Sequence, residues 1–180
     1  MATKRIMAIH LWQPWADLIC CGAKTIETRT WDIRHRGLVL ICSTKVLNKE
    51  GRQAIETYQS DIWEHGPLLP TPYRPRLGVA MATANLVASR DMTPDDRRAA
   101  AYADHWGIEY WCEKSCEWKI KKAWCLEDVT PIEPFSLAGR QRPFFTMVEE
   151  SLLEPALLFD LPARQAATSK PERRQLSFLI

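Results

Sequence analysis

His10-Leu11-Trp12-Gln13-Pro14-Trp15-Ala16, then Gly22-Ala23-Lys24-Thr25-Ile26-Glu27-Thr28-Arg29-Thr30-Trp31, then Arg36-Gly37, is the stretch on which the reading of this chain turns. Pro14 suits the first position of a helix, where its missing N–H is not needed. Trp15, Leu18 and Ile19 follow at i, i+3 and i+4 on one face, and Gly22 supplies a stop, so a helix is expected over 14–21. Thr25 to Asp32 reads as a strand whose alternation puts Thr25, Glu27, Arg29 and Trp31 on one face and Ile26, Thr28 and Thr30 on the other. After the Arg36-Gly37 turn, Leu38-Val39-Leu40-Ile41-Cys42 reads as a buried strand.

Working outward, residues 4–11 are apolar at Ile6, Ala8, Ile9 and Leu11 and suit a first strand. Asn48 is placed to cap a helix over 48–62, with Ile55, Tyr58 and Ile62 inward. Prolines 67, 70, 72 and 75 make the stretch from Gly66 to Arg76 a loop, and residues 77–89 form a long strand of small and apolar residues. Thr93-Pro94-Asp95-Asp96 combines a cap, a first-position proline and acid in the first turn, so a helix is expected over 94–105, stopped by Gly107. Residues 117–130 and 144–148 return to strand character. Several of these strands lie too close together for the crossovers of a parallel sheet. The expected fold is α+β, a small mixed or mostly antiparallel β-barrel with peripheral helices, filling residues 1–160 as one domain, with a basic tail over 161–180.

The 180 residues carry a net charge of +2, too little to argue for a polyanionic partner by bulk charge, so any such contact must come from local clustering. Six cysteines follow an N-terminus with no apolar leader, which points to free thiols in a cytoplasmic protein rather than a disulfide framework. No apolar run approaches the ~20 residues of a membrane span. His105, Cys112, Cys116 and Cys125 carry metal-ligating atoms, but their spacing departs from the paired pattern of zinc sites, and neither metal nor cofactor is expected.

Two groups of residues could carry chemistry. Glu27 and Arg29, two apart on one strand face, can form either a solvated surface pair or, in a cleft, a pair strengthened by exclusion of water; Lys24 adds a cation at the start of that strand. Further on, Lys114, Lys119, Lys121 and Lys122 are interleaved with Trp111, Trp118 and Trp124. Cations beside aromatic rings are the chemistry of single-strand binding. The favoured alternative is that the lysines face water while Trp118, Ile120 and Trp124 fill a core, and Trp15 is likewise expected to be structural.

The Gln13-Pro14-Trp15-Ala16 turn, the strand from Gly22 through Trp31 and the following Arg36-Gly37 resemble, in order and spacing, the opening of the ASCH domain. That family belongs to the PUA-like superfamily of small β-barrels, which mostly engage RNA or modified nucleobases. The later Trp124-Cys125-Leu126-Glu127-Asp128-Val129-Thr130-Pro131-Ile132 and Gly139-Arg140-Gln141 are similar to its closing strand and turn. The resemblance implies a cleft at the barrel mouth that takes RNA, single-stranded nucleic acid or a modified nucleotide, with Gln13, Lys24, Glu27, Arg29, Trp31 and Arg140 as its binding residues. Phosphate contact would fall to Lys24 or the Arg140–Arg142 cluster, and Trp31 would be a stacking wall. It also implies two alternatives. One is a hydrolase of RNA phosphodiesters or of N4-acylated cytidine, with Lys24 and Glu27 as base and acid. A related bacterial branch uses a lysine and a threonine three residues later, and Glu27 stands where that threonine would be. The other is a protein–protein adaptor, whose sign would be a large exposed apolar patch away from the cleft.

Overall fold

Strand β1 (Arg5–Leu11) is apolar at every position after the first except His10, a pattern that only a strand covered on both faces can bury. A computed structural model of the protein describes residues 5–60, 68–102, 106–137 and 145–153. Within them β1 sends Met7, Ile9 and Leu11 into one apolar cluster and Ile6 and Ala8 into another. After β1 come α1 (Trp15–Cys20), β2 (Ile26–Arg29), β3 (Gly37–Ser43), α2 (Lys49–Gln59), β4 (Val79–Asp91) and a 3-10 turn at Pro94–Asp96. The chain continues through β5 (Glu109–Cys112), β6 (Glu117–Ile120), β7 (Lys122–Ser136), β8 (Phe145–Glu149) and a second 3-10 turn at Glu150–Leu153.

Six strands form one sheet in the order β2-β7-β4-β3-β1-β8, and β5 pairs with β6 as a separate hairpin. β1 and β3 run parallel, joined by the crossover that α1 and β2 provide; the remaining pairings of the sheet are antiparallel. Register shifts at Ile41/Cys42 and at three points between β4 and β7 mark bulges that let the long strands bend. Among the described residues β2 and β8 are the sheet's edges, and no ladder joins them into the closed barrel the resemblance implied. One physical reason lies at β2. The backbone N–H groups of Thr25 and Ile26 both donate to Ala99 O, at 2.8 and 3.0 Å, so a turn rather than another strand covers that edge.

That turn also corrects an expectation about the helices. The alanines after Asp96 favour a helix over 94–105, yet among the described residues of that span only Pro94–Asp96 is helical, as a 3-10 turn. Ala101 adopts φ +45, a left-handed conformation that ends any helix. The carbonyls of Ala99, Ala100 and Ala101 turn away to accept bonds from β2, from Lys24 and from Tyr58. Residues 103–105, with His105, lie outside the described residues, as do Ile62, Arg140, Gln141, Arg142 and the tail. The strand expected over 117–130 divides into β6 and β7, and Trp118 and Ile120, expected inward, are exposed while Trp124 is fully buried. Among the described residues no three His, Cys, Asp or Glu side chains gather as a metal site, and no helix is long and apolar enough to cross a membrane.

Helix α2 docks against α1 through Ala54, Tyr58 and Leu18. Its first turn abuts the Gln13-Pro14 turn so closely that a Cβ on Gly51 would stand 2.2 Å from Gln13 O. Alanine in a helix interior is favoured over glycine by about 1 kcal/mol. Here the clash with a backbone oxygen outweighs that gain, and Gly51→Ala is expected to lower stability by about 1–3 kcal/mol, measured by urea denaturation.

Candidate functional site

Gly22, at φ +79, turns the chain out of α1, and its neighbour Lys24 donates its backbone N–H back to Leu18 O at 3.0 Å. This aims the Lys24 side chain inward, where it is 2% exposed. Its ammonium donates to Ile26 O and to Ala100 O, each at 2.6 Å, and lies 3.4 Å from Glu27 Oε2. Arg29 Nε stands 3.0 Å from Glu27 Oε1, and Arg29 Nη2 donates to His10 O at 3.3 Å. Glu27 is therefore held between two cations, with the side chains of both Glu27 and Arg29 nearly buried. Behind Arg29 stand two rings, Trp31 and Trp124, with centroids 5.3 and 5.5 Å from the guanidinium carbon. Stacking of this kind holds a guanidinium in one orientation while leaving its donors in the ring plane.

This triad lies along a cavity of about 320 Å³. Trp12, Trp15, Tyr102 and Trp106 supply aromatic wall, and His10, Leu11, Thr28 and Ala100 complete the lining. The Trp15 and Trp106 rings lie 6.5 Å apart and the Tyr102 and Trp106 rings 5.0 Å apart, so these three rings form a connected surface. Arg97 donates to Trp106 O at 2.9 Å and Lys121 to the Tyr102 hydroxyl at 2.6 Å, which fixes that wall from outside.

The electrostatics follow from burial. Desolvation lowers the Lys24 pKa from its ordinary value, and the Glu27 carboxylate opposes that shift. Burial also lowers the pKa of His10, with Arg29 adding to the effect, so the imidazole favours its neutral form. The ionisable lining thus combines two cations with one carboxylate, a net positive floor under aromatic walls. A ligand that suits it is flat, offers N–H groups to a carboxylate, and carries carbonyl or anionic oxygen for the cations.

A family model described as ASCH domain matches residues 9–144. The chain belongs to the ASCH domain family. Among solved structures, the crystal structure of ASCH from Zymomonas mobilis matches with a TM-score of 0.52 at 18% identity, covering 81% of this chain and 88% of that one. A mutant form of the Zymomonas mobilis protein matches with a TM-score of 0.44 at 18% identity, over 81% of this chain and 90% of that one. Likeness at this identity speaks for the fold alone. No curated protein matches.

Of the residues singled out in this ASCH domain, Lys24, Glu27 and Arg29 come together on the cavity. Trp31 packs edge-on against Trp124, 5.7 Å between centroids, and braces Arg29 without lining the cavity. Gln13 is fully buried elsewhere: its amide donates to Arg76 O at 2.7 Å and its carbonyl accepts from the Asp17 N–H at 3.1 Å, in a network with Tyr73. It fastens α1 to the proline loop. Arg140 lies outside the described residues. Trp15, expected as core, is half-buried and shared between the α1–α2 cluster and the cavity wall. Sequence reasoning missed His10, Trp12, Tyr102 and Trp106 as site residues. Tyr102 falls inside the helix expected over 94–105 and Trp106 just beyond it, although an aromatic pair four apart beside a glycine is equally a sign of a packed loop.

Lys24→Met leaves two carbonyls without their donor and Glu27 with Arg29 as its remaining cation, and is expected to cost about 3–5 kcal/mol by denaturant titration. A pH effect follows from His10. Because its pKa is lowered from 6.5 in the folded state, the unfolded chain takes up a proton there that the folded chain refuses. Stability should accordingly rise with pH up to about 6.5 and fall on acidification through that range, and His10→Gln should flatten this part of the stability–pH curve.

Proposed function

We propose that this ASCH domain binds one nucleobase in the cavity, presented by RNA or another single-stranded nucleic acid or by a modified nucleotide. The observation that carries the reading is the pairing of an aromatic wall with a buried Lys24–Glu27–Arg29 floor. Aromatic side chains stack on the face of any base, whereas the edge of a base demands both donors and acceptors. A carboxylate held between two cations supplies that mixture, which a purely basic groove does not. The volume, near the lower end of the range for small-molecule sites, suits a base or nucleoside rather than several nucleotides at once. In this reading Lys24 fixes Glu27 instead of contacting phosphate, because its ammonium protons already meet two carbonyls and a carboxylate.

A hydrolytic reading has one observation in its favour. Lys24 has a lowered pKa, lies beside Glu27 and lines the cavity, as a catalytic base would. Incubation with N4-acetylcytidine and with a mixed RNA pool, followed by mass analysis, separates the two. Binding without product supports the first reading, and product that disappears in Lys24→Met supports the second.

The binding test is titration of nucleosides and short single-stranded RNA, followed by tryptophan fluorescence and calorimetry. Trp106→Ala is expected to weaken binding by about 1–3 kcal/mol, the worth of one stacked base. Glu27→Gln is expected to change which base is preferred while leaving the salt dependence of RNA binding unchanged, since it touches no phosphate. Absence of binding by every nucleoside and RNA tried would sink the proposal.

A further inference from the structure

Two cysteines bracket the turn of the β5–β6 hairpin, and the turn is built around the first of them. Cross-strand pairing sets Glu109 opposite Ile120, Trp111 opposite Trp118 and, at the closed end, Cys112 opposite Glu117. Residues 113–116 make the turn, so Cys116 ends it one residue before the partner of Cys112. Alternation puts the exposed Trp111 and Trp118 on one face and Tyr110, Cys112, Glu117 and Lys119 on the other. On that second face the Tyr110 hydroxyl donates to Thr30 O at 2.6 Å and ties the hairpin to the body of the protein.

The donors of the turn converge on the Cys112 sulfur. The Ser115 hydroxyl, the Ser115 backbone N–H and the Lys114 backbone N–H all bond to it, and with the Lys119 ammonium nearby they hold the thiol below its ordinary pKa. Glu117, the acid across from it, is engaged by Lys119 at 3.0 Å. Elsewhere burial does the reverse: it raises the Cys20 and Cys125 thiols and pushes Cys42 up to about 12. Cys116 Sγ donates to Glu113 O at 3.5 Å, so the second thiol folds back across the turn toward the residue next to Cys112. Its backbone makes that possible with a φ of +50, a left-handed conformation that Gly or Asn adopts with less strain. Partners in an antiparallel pair have Cα atoms about 4.5–5.5 Å apart, and a disulfide spans about 4.4–6.8 Å. The turn that closes the Cys112–Glu117 pair therefore returns Cys116 to the neighbourhood a bridge to Cys112 requires. Both thiols are free, Cys112 half-buried and Cys116 exposed.

We propose that Cys112 and Cys116 are a peroxide-reactive pair, in which Cys112 is the thiol oxidised and Cys116 the thiol that resolves it into a disulfide across the hairpin turn. The inference is independent of the cavity reading. In the first step the Cys112 sulfur attacks one oxygen of hydrogen peroxide. An S–O bond forms, the O–O bond breaks, and the departing hydroxide takes up the thiol proton as water, leaving a sulfenic acid. In the second step the Cys116 sulfur attacks the sulfenic sulfur. The S–S bond forms, the S–O bond breaks, and the departing hydroxide leaves with the Cys116 proton as a second water. Two thiols and one peroxide thus give one disulfide and two waters. The turn's donors serve the first step, because the thiolate is the attacking form.

The test treats the full chain and its Cys112→Ser and Cys116→Ser variants with hydrogen peroxide, with and without dimedone, and maps every cysteine by peptide mass spectrometry. Both positions lie at a surface turn, so the variants should keep the parent's thermal midpoint, which is checked first. The parent should form a disulfide between Cys112 and Cys116 that dithiothreitol reverses. Cys116→Ser should instead accumulate a dimedone adduct at Cys112, and Cys112→Ser should leave Cys116 unoxidised. On the parent alone, iodoacetamide should label Cys112 about tenfold or more faster than the exposed Cys21, a measurement that needs no variant to fold. The proposal is overturned if Cys112 is labelled no faster than Cys21, or if Cys116→Ser gives no adduct at Cys112. A disulfide that joins two chains or recruits another cysteine overturns it as well, and so does a dimedone adduct on Cys116 in Cys112→Ser, which would reverse the roles.

Discussion

The buried Lys24 ammonium is the constraint on which the rest of the site depends. A charge taken out of water must be met on several sides, and here the partners come from separate parts of the chain: Ile26 O on β2, Ala100 O in the turn after β4, and the Glu27 carboxylate. Satisfying one group therefore docks the turn onto the edge of β2, orients Glu27 and closes one side of the cavity. The Ala99 carbonyl reinforces the arrangement by accepting from Thr25 and Ile26, and the Ala101 carbonyl by accepting from Tyr58 of α2.

The turn itself is held from its start. Asp96 accepts from both terminal nitrogens of Arg90 at 2.7 Å and from the Thr93 backbone N–H at 2.8 Å, and these partners, the guanidinium foremost, hold its carboxyl down to about 2. Through Asp96 the end of β4 sets where Ala99 and Ala100 fall, and through them where Tyr102 and Trp106 stand in the cavity wall. A carboxylate outside the cavity thus shapes it, by a chain of backbone contacts in which each carbonyl has a stated donor.

Two faces of aromatic character result, and they differ in how they are built. The cavity wall is assembled from rings that also pack against the core, so Trp15 and Trp106 belong at once to a packed cluster and to the cavity lining. The Trp111–Trp118 face has no such double use, since its rings project from a hairpin anchored by its other side.

Much of this was legible in the residues. Strand alternation placed Glu27 and Arg29 on one face, the helix stop at Gly22 put Lys24 beside them, and the strand order pointed to a small mixed or mostly antiparallel barrel, of which the described residues form the mixed sheet without a ladder that closes it. These are local consequences of side-chain period and turn chemistry, and they survive folding because nothing distant contradicts them. What only the tertiary structure decided is where chain segments far apart in sequence compete for the same groups. Alanine propensity favoured a helix after Asp96, but the demands of Lys24, Tyr58 and the β2 edge drew three carbonyls out of it. Gln13 has the polarity of a ligand contact, yet the proline loop took its amide. Trp118 has the bulk of a core residue and Trp124 looks the same on paper. One is exposed and the other buried because β6 stands in a separate hairpin while β7 lies inside the sheet. Burial is a property of the assembled sheet, so no reading of local pattern could have told the two tryptophans apart.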